Sequence, residues 1–157
     1  MPDEEAQLTL ASDPTLEQDC DFCRIARGEA RTEVVCASKD CLAFFPLTPA
    51  TRGHTLVIPR RHVQNFLLAD ATLGAGLMSM VVRVGAALVE VLHPQGMNLI
   101  SSAGSVALQT EPHLHLHVVP RWANDDIGDI WPPQKSSSEA LMEKLAEQLR
   151  AVCGNGS

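Results

Sequence analysis

The sequence predicts a mixed helix-and-sheet domain, and three observations carry that reading. Five short apolar runs are separated by turn residues, one long segment repeats apolar residues at helical spacing, and a shorter helical pattern lies near the C-terminus. At 157 residues the chain has the length of one domain. A domain of that size buries roughly two thirds of its unfolded surface and needs no disulfide staples.

Residues 1–18 lack apolar periodicity and read as a flexible tail. The domain is expected over 19–133, with a C-terminal helix and its tail over 134–157. Segments 33–37 and 41–45 are apolar runs around Ser38-Lys39-Asp40, a hairpin signature. A loop punctuated by Pro46, Pro49 and Gly53 leads to a third strand over 54–58, stopped by Pro59. Residues 70–92 read as a long helix with Asp70 as its N-cap. Leu73, Leu77, Met80, Val81, Val84, Leu88 and Val91 recur at helical spacing, and His93-Pro94 ends the run. Strands are expected over 97–101 and 113–119. The last helix is expected over 139–151, with Ser136 and Glu139 in capping-box spacing.

Composition narrows the function. The net charge is −7, and only Arg60-Arg61 and the pair Arg24 and Arg27 approach a cluster. Duplex binding needs clustered cations to displace counterions, so nucleic acid is not an expected partner. Four Phe, two Trp and no Tyr supply too few platforms for stacking single strands. The acidic N-terminus has neither the basic start nor the apolar core of a signal peptide. No run reaches ~18 uninterrupted strongly apolar residues, so neither a spanning helix nor a membrane partner is expected. Together these imply a cytoplasmic protein. Five cysteines, an odd number, argue against a disulfide framework.

The chemistry concentrates in His113-Leu-His115-Leu-His117. On a strand, alternate residues share a face, so three imidazoles would line one side and Leu114, Leu116 and Val118 the core side. A one-residue slip would bury the imidazoles, so the leucines fix the register. Three readings are open: a solvated strand face, a three-His zinc site of hydrolytic type, and an imidazole nucleophile attacking phosphorus. The last needs one ring nitrogen unprotonated and aimed while the other donates to a fixed acceptor. Upstream, Gly104 to Pro112 is rich in small and hydroxylated residues; its backbone amides, with Gln109 and Thr110, form a candidate anion nest. Cys20-x-x-Cys23 is a zinc half-site whose other half must come from distant histidines. His54 opens a strand and His93 ends a helix, and both read as structural. Trp131 reads as an interface residue or a local core anchor.

These residues resemble the histidine triad (HIT) family of nucleotide hydrolases and transferases. The family motif alternates three histidines with apolar residues and ends on two apolar residues, as His113-Leu-His115-Leu-His117-Val-Val does. Gly53-His-Thr-Leu-Val-Ile-Pro-Arg-Arg-His62 resembles the family's upstream strand and loop, and Cys20-Asp-Phe-Cys23 the start of its zinc-containing branch. The resemblance covers roughly residues 20–122. It implies an α+β fold: a five-stranded antiparallel sheet with helices, paired in a homodimer. It implies that His115 attacks the α-phosphorus of a nucleotide, that His117, Ser102, Gln109 and Thr110 contact phosphate, and that the Thr110 hydroxyl lies near the leaving group. It also implies one structural zinc per chain on Cys20, Cys23, His62 and His113, and that Trp131 approaches the partner's active site. The chain departs from the family's common pattern at Pro46, where a ribose-binding acid is frequent, at Ser102 for Asn, and at Leu108 for Gly. The expected activity is hydrolysis of a nucleotide at its α-phosphorus, as a phosphoramidase or dinucleoside polyphosphate hydrolase; the alternative is a nucleotide-binding module with little turnover.

Overall fold

The computed structural model describes Leu8, Ala11 and residues 17–154. Apart from Leu8, Ala11, Glu17 and Gln18, the tail expected over 1–18 lies outside the described residues. The chain forms two compact units, Met1–Asp125 and Asp126–Ser157.

The first unit is built on a five-stranded, wholly antiparallel sheet of β1 (Val34–Ala37), β2 (Cys41–Phe44), β3 (Thr55–Pro59), β4 (Gly96–Ile100) and β5 (Leu116–Arg121). The spatial order is β1-β2-β3-β5-β4. The hairpin turns on Ser38, whose hydroxyl accepts from the Cys41 amide at 3.0 Å. Helix α1 (Asp21–Ala26) precedes the sheet, and α2 (Ala71–Leu92) joins β3 to β4. The Asp70 carboxylate caps α2 by accepting from the Leu73 amide at 2.8 Å. His93 closes it in the left-handed region, φ 49°, ahead of Pro94.

Strand alternation sorts the core into two clusters. Cys41, Ala43, Val57, Leu114 and Val118 pack against Leu73, Leu77, Met80, Val84 and Leu88 of α2. The intervening residues, Leu42, Phe44, Leu56 and Ile58, pack against Phe22, Ile25 and Ala26 of α1. Helices on both faces explain why every residue of β2 and β3 is buried. By length and mean hydropathy α2 is also apolar enough to cross a membrane. That qualifies the expectation that no segment would reach this composition. Its Leu73, Leu77, Met80, Val84 and Leu88 row lies in the core, as in the central helix of a globular domain.

Gly53 begins the turn into β3 at φ +82°. A Cβ there would sit 2.4 Å from Leu92 Cδ1 and 3.1 Å from Leu88 Cδ2. Only glycine lets the chain pass this close to the end of α2 in that backbone conformation.

In the second unit, α3 (Glu139–Cys153) begins at Ser138, whose side chain makes no capping hydrogen bond. The capping box expected from Ser136 and Glu139 is therefore not formed: the helix starts two residues later than Ser136, putting its hydroxyl out of register with the first free amides. Trp131 is 78% exposed and anchors no core.

Candidate active site

The triad is reached in two steps. Regular strand begins only at Leu116, so His113 and His115 lie on the approach to β5. The Leu114 amide donates to the Val63 carbonyl, and Ser101 Oγ donates to the His115 carbonyl at 2.9 Å. Alternation still holds, with Leu114 in the core and the three histidines on the opposite side. That side is not an open strand face. Phe22 of α1 lies edge-on over His113 and His115, with ring centroids 5.9 and 5.3 Å away. His113 is wholly buried and His115 nearly so.

Hydrogen bonds assign a tautomer to each ring. His115 Nδ1–H donates to the His113 carbonyl at 2.7 Å, so Nε2 carries the free lone pair. His113 Nε2–H donates to the Pro59 carbonyl at 2.9 Å, which turns its Nδ1 lone pair toward Cys20 Sγ at 3.3 Å and Cys23 Sγ at 3.4 Å. His54 was read as structural, but it belongs to the site. Its Nδ1 accepts from the Ala50 amide at 3.0 Å, so its Nε2–H donates to His117 Nδ1 at 2.9 Å. His117 is thereby left with a proton on Nε2. Burial, then the neighbouring His115 and His54, push the His117 pKa down to about 4. It stays a neutral N–H donor throughout the neutral range. The spacing of His54 from His117 in sequence carries no signal of this pair. It arises from the register of β3 on β5, where Leu56 faces His117 and Thr55 faces Val118.

His115 and His117 open into a cleft of about 490 Å³. Phe22, Ile25, Phe44 and Leu56 form an apolar wall; Pro46, Leu47 and Thr48 lie along the loop after β2. Thr110 and Glu111 line it beside the histidines. An apolar slot with a few polar groups at one end suits a flat base with its phosphate at the histidines. Pro46 offers the cleft no side-chain acceptor. Ser102 and Gln109 are not among the lining residues. Both ends of the Gln109 amide are committed to backbone groups: Oε1 accepts from the Gly104 amide at 2.9 Å, and Nε2 donates to the carbonyls of Gln64 and Glu111 at 2.6 and 2.9 Å. Leu108 holds the left-handed conformation, φ 65°, with its side chain 83% exposed. It keeps a backbone shape that glycine adopts freely, at a cost of about 1–2 kcal/mol.

The metal half-site finds its partners. One ligand atom from each of Cys20, Cys23, His62 and His113 lies within 4.8 Å of every other. Cys23 Sγ is 3.3 Å from His62 Nδ1. Sulfur and nitrogen on a tetrahedral zinc, with bonds of about 2.3 and 2.0 Å, stand roughly 3.5 Å apart, so the donor set fits that ion. Burial and the adjacent Cys20 push the Cys23 thiol up to about 12. The two sulfurs could carry charge in this interior only beside a cation. His62 Nε2 is buried with no hydrogen-bond partner among the described residues, which leaves Nδ1 as the atom by which this ring is engaged.

Residues 27–124 match the model of the HIT domain. The chain belongs to the HIT family. Among HIT proteins, it is 30% identical to an adenylylsulfatase of Arabidopsis thaliana, over 86% of this chain and 68% of that one. It is 28% identical to an adenosine 5'-monophosphoramidase of Schizosaccharomyces pombe, over 83% and 98%. A solved Zn-bound histidine triad family protein from Mycobacterium smegmatis is 33% identical and superposes with a TM-score of 0.67, covering 87% of this chain and 99% of that one. The five-stranded sheet, the long helix and the C-terminal helix are those of the HIT fold. HIT relatives named as an adenylylsulfatase and an adenosine 5'-monophosphoramidase support nucleotide hydrolase activity for the family to which the chain belongs.

Proposed function

We propose that this protein is a hydrolase acting at the α-phosphorus of a nucleotide, through a nucleotidyl-His115 intermediate, to release a nucleoside monophosphate. One observation carries the reading. The His113 carbonyl accepts a hydrogen bond from His115 Nδ1–H, which leaves the Nε2 lone pair free as a nucleophile in the cleft. Nε2 attacks phosphorus, and the bond to the leaving group breaks with its electron pair going to that group. The leaving group takes up a proton from solvent, while His117 Nε2–H and the Thr110 hydroxyl hydrogen-bond to it. Water then attacks phosphorus, and the P–N bond breaks, returning its pair to His115. The remaining water proton passes to solvent, and the monophosphate leaves. Ser102 and Gln109 act on the phosphate side, Gln109 by holding the loop in shape. Zinc, held one per chain by Cys20, Cys23, His62 and His113, stitches α1 to the triad segment. The protein is cytoplasmic and its partner is the small nucleotide, with no role for nucleic acid or membrane.

The test is intact-protein mass after brief mixing with adenosine 5'-phosphoramidate. An added adenylyl mass mapping to His115 is the expected result. Tight binding with neither adduct nor released monophosphate would favour a nucleotide-binding module instead, the reading that Pro46 supports by removing a ribose contact.

We also propose a homodimer with α2 in or near its interface. Met78, Val82 and Val89 leave an apolar stripe on the outer side of α2, between 46 and 65% exposed. Two-fold pairing is the commonest way to cover such a stripe. Trp131 is proposed to approach the partner's cleft. Sedimentation velocity at micromolar concentration is expected to give a dimer, and Val82→Glu a monomer. A monomeric parent with full activity would overturn both the interface and the role of Trp131.

A further inference from the structure

The cleft runs across the sheet, and strand register gives its direction. Leu56 on β3 faces His117 on β5, Phe44 on β2 faces Leu56, and Val34 on β1 faces Phe44. The Phe45 amide carries the pairing one residue further by donating to the Glu33 carbonyl at 3.1 Å. Three strand spacings of about 4.8 Å put this edge of the sheet about 14 Å from the strand of His117. Arg31 lies just before β1, on that far edge, and lines the same cleft as His115 and His117. Between the two ends stand the apolar side chains of Phe22, Phe44 and Leu56. A nucleotide whose phosphorus meets His115 Nε2 lays its base along that wall, and the outer edge of the base then points to Arg31.

Arg31 is free for such a contact. It is exposed, and among the described residues it forms neither an ion pair nor a hydrogen bond. Arg60, by contrast, is held by the carbonyls of Ser38 and Ala26. At the far end of the cleft the Arg31 charge adds little to phosphate binding, since the Debye length is about 8 Å at physiological ionic strength. What the guanidinium offers there is geometry: a planar fork of N–H donors with no acceptor. Guanine turns two acceptors, O6 and N7, toward such a fork. Adenine turns one acceptor, N7, and an amino donor for which the fork has no acceptor.

Resting on the hydrolase reading above, we infer that Arg31 is a specificity-determining residue that reads the edge of the base and selects guanine nucleotides over adenine nucleotides. It takes no part in the chemistry at phosphorus. A bidentate arginine–guanine pair at an exposed site discriminates by about tenfold.

The test compares kcat/KM for guanosine 5'-phosphoramidate and adenosine 5'-phosphoramidate, which differ only in the base. The parent is expected to favour guanosine by about tenfold. Arg31→Met keeps the length of the side chain without its donors, and is expected to bring the ratio to within about twofold of unity. Arg31→Gln places an amide that pairs with N7 and the amino group of adenine, and is expected to turn the ratio toward adenosine. Because Arg31 is exposed and holds no described partner, neither change is expected to lower the unfolding midpoint. A parent ratio within about twofold of unity overturns the inference. So does a ratio that the variants leave unaltered because both substrates slow equally, the result expected of a charge that serves the phosphate. If the parent turns over neither substrate, the hydrolase reading fails by itself. Base selection is then decided by the dissociation constants of GMP and AMP for the same three proteins. A tenfold preference for GMP that Arg31→Met removes upholds it, and equal constants in the parent overturn it.

Discussion

His115→Ala is expected to abolish release of nucleoside monophosphate while leaving the fold in place. The imidazole makes one described hydrogen bond, from Nδ1 to the His113 carbonyl, and its removal costs that single contact. Loss of an activated nucleophile costs several orders of magnitude in rate, whereas loss of a positioning contact costs far less. The measurement is single-turnover release of AMP from the phosphoramidate, with unfolding midpoint and adduct mass recorded on the same preparation. A folded variant that keeps near-normal turnover would remove His115 from the chemistry. His54→Ala gives the comparison. It frees His117 Nδ1 from its donor, so the His117 tautomer is no longer fixed, and slower adduct formation with unchanged nucleotide affinity would assign His117 to departure of the leaving group rather than to binding.

The second large effect concerns the sulfur pair. Protein prepared without chelator is expected to contain one zinc per chain, and the double variant Cys20→Ser, Cys23→Ser none. Binding to four ligands that meet only in the folded chain contributes directly to folding free energy, so the variant should lose several kcal/mol of stability. The Cys23 thiol sits near 12 before metal binds, because of burial and then Cys20. The complex needs the thiolate, so loading must release protons, and affinity must fall as pH falls. Elemental analysis and urea unfolding decide the matter. A parent without zinc, or a double variant that retains it, would sink the assignment. Nucleotide affinity should change less than stability, because neither sulfur lines the cleft.

Much of this was legible in the order of residues. Alternation at 113–117 gave the side of the sheet on which each ring lies, because apolar Leu114 and Val118 can only face α2. Helix α2 was legible from its apolar row and its Asp70 cap, both local properties. Two things were not. The pairing of His54 with His117 depends on which residue of β3 opposes which residue of β5, and register between distant strands leaves no local trace. Burial of His113 and His115 depends on α1, six residues that cross the sheet from far earlier in the chain. Gln109 is the subtler case. Its type suits a phosphate contact, but three backbone groups of its own neighbourhood claim both ends of the amide.

The bare α-carbon of Gly53 has a consequence beyond the turn it allows. His54 follows it immediately, so the height of that ring above the sheet is set by how closely residue 53 rests on Leu88 and Leu92. The last turn of α2 is in effect a shim beneath the His54–His117 pair: two leucine side chains on the far side of the sheet from Phe22 back the residue next to His54, whose Nε2 lies 2.9 Å from His117 Nδ1. A bulkier or thinner residue at 88 or 92 is therefore expected to shift the His54–His117 pair from outside the cleft.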